Sequence, residues 1–284
     1  MHINKIFSYT LLLLFFSNCT SFERKQNSLE LNDLKRKVKS TTERTYLAVE
    51  KFGKTEKGDL KLEYSWRKNY ENIYNENGYL IERNKMDKNG LLISKTTVKY
   101  DKNNDVIENN HYNSNGTLSG KTIWKYDEKG NNIENIDYDS DGKYESKMIN
   151  TFNNKNLVVQ ENFLNSDNIL ISKALYEFDS ENNKEKEEFY YKGKFDDKRI
   201  LNYNNKNQLI SVKIFDSINK QVFKSVRNYN EKDLLIEIND FDKNEKIIRK
   251  EKFEYDTKGN WIEKVVYDNL KPTFVIVRKI EYYK

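Results

Sequence analysis

The most concentrated set of side chains able to do chemistry is an acidic run in the middle of the chain. Asp137, Asp139, Asp141 and Gly142 form an Asp-x-Asp-x-Asp-Gly sequence, and Glu145 follows at the ninth position. Spaced carboxylates followed by glycine resemble the first half of a calcium-binding loop. The twelfth position, where such a loop needs a bidentate carboxylate, is a methionine. The run therefore has two interpretations, a calcium site or an ordinary Asp-x-x-Gly turn.

Other catalytic chemistry has few residues to draw on. The chain has two histidines, His2 and His111, and one cysteine, Cys19. Acidic pairs such as Glu187 and Glu188 are common in a chain with 33% charged residues, so they do not single out an acid–base pair. The sequence contains no Gly-rich phosphate-binding loop. We therefore predict that the protein is not an enzyme and uses no cofactor or metal.

Cys19 is better explained as a site of modification. An apolar run from Ile6 to Phe16 follows Lys5 and is too short for a transmembrane helix. This is the layout of a secretory signal peptide, here over residues 1–18. Because the only cysteine follows directly, we predict that it is acylated as in bacterial lipoproteins. An ordinary signal peptide with an incidental cysteine is the alternative.

Aromatic side chains are the remaining candidates for ligand binding. The chain has 20 Tyr, 15 Phe and 3 Trp, and Tyr and Trp rings can stack on sugars or anchor protein partners. Most of them occupy regular positions that core packing explains. The doubled or irregular ones are candidate binding residues: Tyr64, Trp66, Tyr70, Tyr190, Tyr191 and Trp261.

A sequence repeat determines the fold that places these candidate residues. An aromatic residue returns every 25 to 27 residues, and Asp or Asn follows it in the first eight of nine copies. Three residues further on comes Gly, Asn or Asp, which suits a type I turn closed by a left-handed residue. A fixed period of this length indicates a repeat architecture. The aromatic positions are Tyr74, Tyr100, Tyr126, Phe152, Phe178, Tyr203, Tyr229, Tyr255 and Tyr282.

A second turn signal about 12 residues later, as at Tyr112-Asn113 with Gly116, makes each unit a two-stranded hairpin. The predicted fold is all-β, an elongated antiparallel β-hairpin repeat array of about eight 26-residue hairpins. Open sheets rarely exceed ~10 strands without curling, so we expect a curled single-layer sheet or ribbon. In the first strand of each hairpin, apolar residues fall on both parities. Either a bulge at the turn or a sheet with two apolar faces explains this.

Composition sets the remaining limits. Net charge is +5, and Lys and Glu are scattered along the strands as on a solvated face, so we predict no nucleic-acid partner.

The predicted domain organisation follows from the apolar leader, the single cysteine and the repeat. We predict a signal peptide over residues 1–18, a lipidated cysteine and flexible tether over 19–33, an N-terminal capping β segment over 34–73 and the repeats over 74–284.

The stretches Tyr126–Asn131 and Tyr255–Asn260, both Tyr-Asp-x-x-Gly-Asn, resemble YD repeats of the RHS type. The closing run Arg278–Tyr283 and the opening Val38–Gly53 resemble the ends of uncharacterised Bacteroidota secreted lipoproteins. The resemblance covers residues 34–284 and implies YD-like β-hairpin repeats without an assigned activity. The chain departs from large RHS proteins because it lacks a C-terminal effector domain and is too short for their closed shell.

These observations predict a lipid-anchored protein of the bacterial cell envelope, on the periplasmic face or the cell surface. Its predicted role is a non-catalytic binding or scaffold surface. The predicted partners are the membrane, through the lipid anchor, and an unknown protein or polysaccharide. Two alternatives stay open: a carbohydrate- or cell-wall-binding repeat module, or an immunity or antitoxin-like partner of a toxin.

Overall fold

A computed structural model of the chain describes residues 26–60 and 69–284. Within these ranges the chain forms one short helix and a single sheet of 19 strands. The helix is α1 (Ser28–Leu31). The strands are β1 (Val38–Lys51), β2 (Lys54–Leu60), β3 (Asn69–Tyr74), β4 (Leu80–Met86), β5 (Leu92–Tyr100), β6 (Val106–Asn113), β7 (Leu118–Tyr126), β8 (Asn132–Asp139), β9 (Tyr144–Phe152), β10 (Val158–Leu164), β11 (Leu170–Phe178), β12 (Lys184–Tyr191), β13 (Lys194–Tyr203), β14 (Leu209–Phe215), β15 (Gln221–Tyr229), β16 (Leu235–Asp242), β17 (Ile247–Tyr255), β18 (Trp261–Asp268) and β19 (Lys271–Tyr282).

The turns lie where the repeat predicts them, and Asp101 shows how they form. Its Oδ1 atom accepts hydrogen bonds from the backbone N–H groups of Asn103 and Asp105, both at 2.8 Å. Asn104 has a φ of 63°, the left-handed conformation that closes the turn. Gly130 holds the same position one repeat later with a φ of 77°. The Asx-x-x-Gly/Asn pattern therefore sets the strand ends.

A bulge accompanies each of these turns. Tyr74 pairs with Leu80, but Ile73 pairs with Glu82, so one extra residue lies in the second strand. The same register shift recurs in the following repeats. The extra residue here, Ile81, is partly exposed. The bulge explains why apolar residues fall on both parities, which was one of the two explanations left open by the sequence.

The sheet closes on itself through β1. One edge of β1 pairs with β19, from Val38 opposite Tyr282 to Leu47 opposite Phe274. Its other edge pairs with β3 and then with β2. Because β2 and β3 share that edge, the 19 strands occupy 18 positions of a closed antiparallel barrel. The prediction of an all-β fold is thus confirmed.

The predicted open arrangement, an elongated curled sheet or ribbon, is wrong. An open array would leave two edge strands with unpaired backbone groups, and closure removes both edges. At the seam, Arg278 donates two hydrogen bonds to Glu43 Oε1, at 3.0 and 2.8 Å, across 235 residues of sequence.

A ring of this size encloses a wide lumen. Strands ~4.8 Å apart and tilted by ~35–45° give roughly 35 Å between opposite backbones if the ring is circular. In the described ranges, strand pairs with several close backbone contacts are sheet neighbours, or flank β1 on its two sides. Opposite walls therefore do not pack against each other.

Side chains alternate between an inner wall, facing the lumen, and an outer wall. In β5, Val98 and Tyr100 face inward and Lys99 faces outward. Burial is the main cause of the pKa shifts inside: it raises the pKa of Tyr100 and lowers that of His111. Outside, the pKa of Lys99 is raised chiefly by its hydrogen bond to Glu108. The two walls thus differ in their exposure to water.

The end of the barrel at which the repeated aromatic residues lie is termed the tyrosine end, and the opposite end the far end. Residues 26–37, termed the strap, cross the tyrosine end. Their helix α1 has a capping box, in which the Asn27 side chain accepts from the backbone of Glu30 and Glu30 accepts from that of Asn27. Leu29 and Leu34 of the strap are buried against Tyr74. The sequence predicts part of a flexible tether here.

The strap is held at points far apart on the rim. Asn260 Oδ1 accepts from the backbone N–H of Lys35 at 2.7 Å, and Asn260 Nδ2 donates to the Lys35 carbonyl at 3.0 Å. On the other side of the seam, Asn27 Nδ2 donates to the carbonyl of Asn77 at 3.0 Å. Ser28 Oγ lies 3.4 Å from the hydroxyl of Tyr100. The strap therefore joins strands on both sides of β1.

Candidate functional site

The inner wall carries the most varied chemistry of the barrel. Its charged sector, on β1 and β10–β19, combines ion pairs with aromatic rings, and its neutral sector, on β5–β9, is mainly uncharged and polar. The charged sector contains Glu43, Glu161, Lys184, Glu187, Asp197, Arg199, Arg227, Asp240, Arg249, Glu251, Lys264 and Arg278. The neutral sector contains Thr96, Asn109, His111, Thr122, Trp124, Asn135, Asp137, Ser146 and Asn150.

Glu187 is the centre of one charged network and is only 3% exposed. Lys184 Nζ lies 3.2 Å from its Oε1 atom and Arg199 Nη1 lies 3.8 Å from its Oε2 atom. The same Lys184 ammonium lies 3.7 Å from the centre of the Tyr176 ring. The Tyr176 hydroxyl donates to Glu161 Oε2 at 2.6 Å, and burial raises the pKa of Tyr176. The carboxylates of Glu187 and Glu161 are thus paired, whereas Arg199 Nε is buried without a hydrogen-bond partner among the described residues.

A second charged network surrounds Glu251, which is also buried. Lys264 Nζ lies 3.0 Å from its Oε2 atom, and Arg249 forms an ion pair with its Oε1 atom. Burial raises the pKa of neighbouring Asp240, which the Arg249 guanidinium partly offsets. Acidic and basic side chains lie opposite one another on neighbouring strands of this sector, as Asp240 and Asp268 do on either side of Arg249.

The neutral sector contains a hydroxyl–carboxylate–imidazole group towards the far end. Asp137 accepts hydrogen bonds from Thr122 Oγ1 at 2.7 Å and Ser146 Oγ at 2.8 Å. His111 Nδ1 lies 3.1 Å from Thr96 Oγ1. Burial lowers the pKa of His111, which favours the neutral imidazole. The hydroxyls and the imidazole add uncharged hydrogen-bonding groups around a single carboxylate.

Nearer the tyrosine end, four adjacent polar side chains have atoms without partners. Trp124 Nε1 and the Oδ1 atoms of Asn109, Asn135 and Asn150 are buried and have no hydrogen-bond partner among the described residues. Trp124 lies directly opposite Asn135 on the neighbouring strand, and Asn109 is diagonal to it. Buried polar atoms of native proteins are normally paired, so such a group indicates bound water or a ligand.

A ring of tyrosine hydroxyls lines the tyrosine end. Five of them donate to the carbonyl at the start of the preceding strand, which ties one repeat to the one before it, whereas the Tyr282 hydroxyl donates to Asp256 Oδ2. Phe152 and Phe178 take the same position without a hydroxyl. The bonds run from Tyr100 to Leu80 (2.8 Å), Tyr126 to Val106 (2.8 Å), Tyr203 to Lys184 (3.0 Å), Tyr229 to Leu209 (3.0 Å) and Tyr255 to Leu235 (2.7 Å).

The outer wall is built differently, from lysine and glutamate pairs between neighbouring strands. Towards the far end, lysine ammonium groups also lie over aromatic rings, as with Lys95 over Tyr112 at 5.4 Å and Lys121 over Tyr138 at 5.5 Å. Such a surface is suited to water. The ion pairs include Lys99–Glu108 (2.5 Å), Lys125–Glu134 (2.7 Å), Lys186–Glu177 (2.7 Å) and Lys250–Glu237 (3.4 Å).

The structure separates the residues of the predicted acidic site. Asp137 faces the lumen, where two hydroxyls bond to it. Asp139 instead forms a turn, since its Oδ1 atom accepts from the backbone N–H of Asp141 at 3.0 Å. Gly142 closes that turn with a φ of 79°. In the described part of the chain, no group of three or more potential metal ligands comes together.

The predicted aromatic candidates do not form one patch. Tyr70 lies on the inner wall under the Arg83 guanidinium, at 5.6 Å. Trp261 also faces inward, with the Arg278 guanidinium 3.5 Å from its ring centre. Tyr190 and Tyr191 lie at the far end of β12, where Tyr191 is exposed and Tyr190 packs edge-to-face with a phenylalanine of β13.

Three predicted sites, Cys19, Tyr64 and Trp66, lie outside the described residues, as does the predicted signal peptide. Among the residues that are described, no helix is long and apolar enough to cross a membrane.

Sequence reasoning missed the inner wall itself, although arginine carries a signal for it. The arginines of β4 and later strands all face inward, whereas most lysines of those strands face outward. Arginine suits buried ion pairs because its planar guanidinium presents several donors and is weakly hydrated. Those arginines are Arg83, Arg199, Arg227, Arg249 and Arg278.

Comparison with known proteins adds weak similarities of fold. No protein-family model and no curated protein sequence matches the chain. A porin-like protein from Bacteroides uniformis is 10% identical, with 86% of this chain and 98% of that chain covered and a TM-score of 0.45. A Photorhabdus luminescens Tc holotoxin pore structure is 10% identical, covering 81% of this chain and 14% of that chain, with a TM-score of 0.36.

A DUF1329 family protein from Desulfovibrio piger is also 10% identical over 86% of both chains, with a TM-score of 0.25. No family match supports the YD-type repeat, which stays a resemblance.

Proposed function

We propose that this chain is a lipid-anchored, non-catalytic binding protein of the bacterial cell envelope that holds its partner on the inner wall of the barrel. The observation that carries the proposal is the contrast between the walls. The outer wall carries exposed Lys–Glu pairs and lysine–aromatic contacts, whereas the inner wall combines aromatic rings with amides, hydroxyls and buried charged networks. A concave surface of this chemistry is the usual form of a binding site.

The outer wall favours a lipid anchor over a barrel that crosses the bilayer. Membrane-spanning barrels turn an apolar band about 25 Å tall towards the lipid, and a lysine at the midplane costs about 2–4 kcal/mol. Here Lys125 and Glu134 of neighbouring strands face outward and pair at 2.7 Å. Several such pairs around the ring would together oppose insertion. A water-exposed barrel held by an acylated Cys19 agrees with this surface.

The position of the strap indicates which end of the barrel would face the membrane. Cys19 precedes residue 26 by seven residues, a span of at most roughly 25 Å. An acyl group on Cys19 would therefore keep the tyrosine end, which the strap crosses, near the membrane. The far end would point away from the membrane and serve as the entrance to the lumen.

Photo-crosslinking from adjacent positions on opposite walls tests the proposal. A photoreactive amino acid replaces Val98, on the inner wall, or Lys99, on the outer wall, in cells that make the full chain. We expect crosslinks to an envelope component from position 98 and few or none from position 99. Equal crosslinking from both positions, or crosslinks from 99 alone, would contradict a binding surface in the lumen.

The anchor has a separate test. Cys19→Ser removes the thiol that acylation needs, so the variant should move from the detergent phase to the aqueous phase on phase partition. Unchanged recovery in the detergent phase would show that another segment holds the protein at the membrane. The crosslinking result does not depend on this outcome.

A further inference from the structure

We infer that the neutral sector of the inner wall binds an uncharged, polyhydroxylated ligand, a neutral oligosaccharide or glycan chain, around Trp124 and the amides of Asn109, Asn135 and Asn150. The inference rests on the proposed function, because it names the ligand class of the same lumen. Its starting point is the set of four buried polar atoms that lack partners among the described residues.

These four side chains are neighbours on one surface. Asn135 pairs with Trp124 on one side and with Met148 on the other, so β7, β8 and β9 bring them to the same wall. Asn109 and Asn150 occupy diagonal positions on the flanking strands. Diagonal neighbours on one face of a sheet are about 7–8 Å apart, within reach of long and aromatic side chains. A single ligand can therefore meet all four.

The four unpartnered atoms can form hydrogen bonds with sugar hydroxyl groups. The indole N–H is a donor, and each of the three amide oxygens is an acceptor. A hydroxyl group both donates and accepts, so a ring bearing several hydroxyls can satisfy both kinds of atom at once. The indole ring adds an apolar surface against which the carbon face of a sugar can stack. An isolated anion would meet three acceptor oxygens and is disfavoured.

Water alone would satisfy the same atoms, but the surroundings favour a larger ligand. Tyr126 lies two residues from Trp124 on the same face, and its hydroxyl is already bonded to the Val106 carbonyl at 2.8 Å. Its ring is therefore fixed beside the indole. Thr122, on the other side of Trp124, has its hydroxyl bonded to Asp137 at 2.7 Å. The two aromatic rings and the polar side chains already fixed by hydrogen bonds form a preorganised surface.

The charged sector argues for the same ligand class by contrast. Its acidic and basic groups form ion pairs with each other, as Glu187 does with Lys184 and Arg199, and its unpartnered atoms, such as Arg199 Nε and Arg227 Nη1, are donors on cations. A strongly charged polymer would have to break these pairs to bind there. Strand β7 and strand β16 are nine positions apart in the ring of 18, so the two sectors face each other across the lumen.

Titration of the purified full chain with defined oligosaccharides tests the inference. The probes are maltoheptaose, cellohexaose and chitohexaose, which are neutral, and an oligogalacturonate as the anionic comparison. The detergent must have no sugar head group. We expect saturable heat by calorimetry, and a change in tryptophan emission, with at least one neutral probe and not with the anionic one.

Two variants tie the binding to this site. Trp124→Phe keeps a ring but removes the N–H, and Asn135→Ser removes the amide oxygen and shortens the side chain. Each should weaken binding by about tenfold or more, because the ligand hydroxyl loses its partner in a buried site. Trp261→Phe, in the charged sector, should leave the affinity unchanged. Melting curves of all variants show whether the barrel is still folded.

Failure of the inference is distinguishable from failure of the proposed function. If crosslinks form from position 98 but none of the neutral probes binds, the lumen is a binding surface for another kind of partner and the glycan inference is wrong. It is equally wrong if a neutral probe binds with the same affinity to folded Trp124→Phe and Asn135→Ser. If position 98 yields no crosslinks either, the proposed function fails.

Discussion

The inner and outer walls of the barrel both contain ion pairs, but in different surroundings. Outside, Lys186 and Glu177 pair at 2.7 Å while the Glu177 side chain is 60% exposed. Inside, Glu187 pairs with two cations at 3.2 and 3.8 Å and is 3% exposed. The shorter distance therefore belongs to the pair that contributes less, because water screens it and its side chains lose entropy on pairing.

Burial, not contact distance, therefore decides which charged residues the fold depends on. Removing one partner of a buried network leaves the other charges without water and without a counter-ion. Removing one partner of an exposed pair returns the other to solvent. The choice of cation follows the same division, with arginine mainly inside and lysine mainly outside.

The largest effect is expected from breaking the inner network. Glu187→Gln removes the carboxylate shared by Lys184 and Arg199 and leaves two cations in a largely buried site. We expect the free energy of unfolding to fall by about 3–5 kcal/mol. Urea denaturation of the full chain, followed by circular dichroism, measures the change.

Glu177→Gln is the matched control on the outer wall. It makes the same chemical change in an exposed pair and should cost at most about 1 kcal/mol. The comparison between the walls fails if the two variants lose similar stability. It also fails if the outer variant loses more.

The next largest effect is expected at the tyrosine end, where Asn260 holds the strap. Asn260 is 1% exposed and bonds to both backbone groups of Lys35 and to the Tyr282 hydroxyl. Asn260→Ala removes these bonds and leaves the partly buried backbone groups of Lys35 unpaired. We expect a loss of about 2–3 kcal/mol, and faster proteolysis of residues 26–37.

Asn131 occupies the same place in an earlier repeat and supplies the control. Its Nδ2 atom bonds to Asp127 and Asn156 within the turns, at 2.9 and 3.3 Å, and it does not touch the strap. Asn131→Ala should cost about 1 kcal/mol and leave the protease sensitivity of the strap unchanged. Equal sensitivity in both variants would show that Asn260 is an ordinary turn residue.

Much of the fold was predictable because its signals are local. The Asx-x-x-Gly/Asn motif needs only five residues to form its hydrogen bonds, as at Asp101, so the sequence places the turns and the strands between them. The closure of the barrel is not local. It joins Val38 to Tyr282, and it depends on twist and register summed over every intervening strand. No short sequence motif predicts the summed twist and register of all the strands.

The inner wall was predictable only in part. Arg199, Arg227, Arg249 and Arg278 each precede the next repeated aromatic residue by an even number of positions, which marks one face of the sheet. The strap had a weaker signal, the capping box formed by Asn27 and Glu30 in a helix of four residues. The grouping of Trp124 with three asparagines depends on the register of four strands, which the sequence alone does not show.

A smaller effect should appear at alkaline pH, where the inner-wall tyrosines titrate. Burial raises the pKa of Tyr126, Tyr203 and Tyr255 to about 12, from an ordinary value of 10.0. Between these values the unfolded chain loses protons that the folded chain keeps. This contribution to the stability of the barrel is therefore complete below pH 10 and falls as pH rises to 12, by at most about 1.4 kcal/mol per pH unit for each such tyrosine, because water that reaches the half-buried hydroxyls reduces the effect.

Tyr126→Phe isolates one of these groups, and Phe152 shows that the repeat accepts phenylalanine there. At pH 7 the variant should lose about 1 kcal/mol, because the bond to the Val106 carbonyl is gone. By pH 11 to 12 the difference should shrink or reverse. Phe152→Tyr should steepen the alkaline loss if its added hydroxyl is buried in the same way. Parallel pH profiles for all three proteins would contradict this origin of the pH dependence.

The smallest loss of stability is expected from breaking an exposed Lys–Glu pair on the outer wall. Lys125→Ala removes a pair with Glu134 at 2.7 Å, but the Lys125 side chain is 53% exposed and Glu134 keeps Lys147 at 3.7 Å. The loss should be about 0–1 kcal/mol and should shrink further as salt rises from low ionic strength to 1 M, since exposed pairs are screened over a few ångströms there. The Glu187→Gln loss should change little with salt, because its partners are largely buried. A salt-independent loss above 2 kcal/mol at Lys125 would mean that the outer wall, like the inner one, is shielded from water, and the surface would then have to be covered by a partner or by lipid.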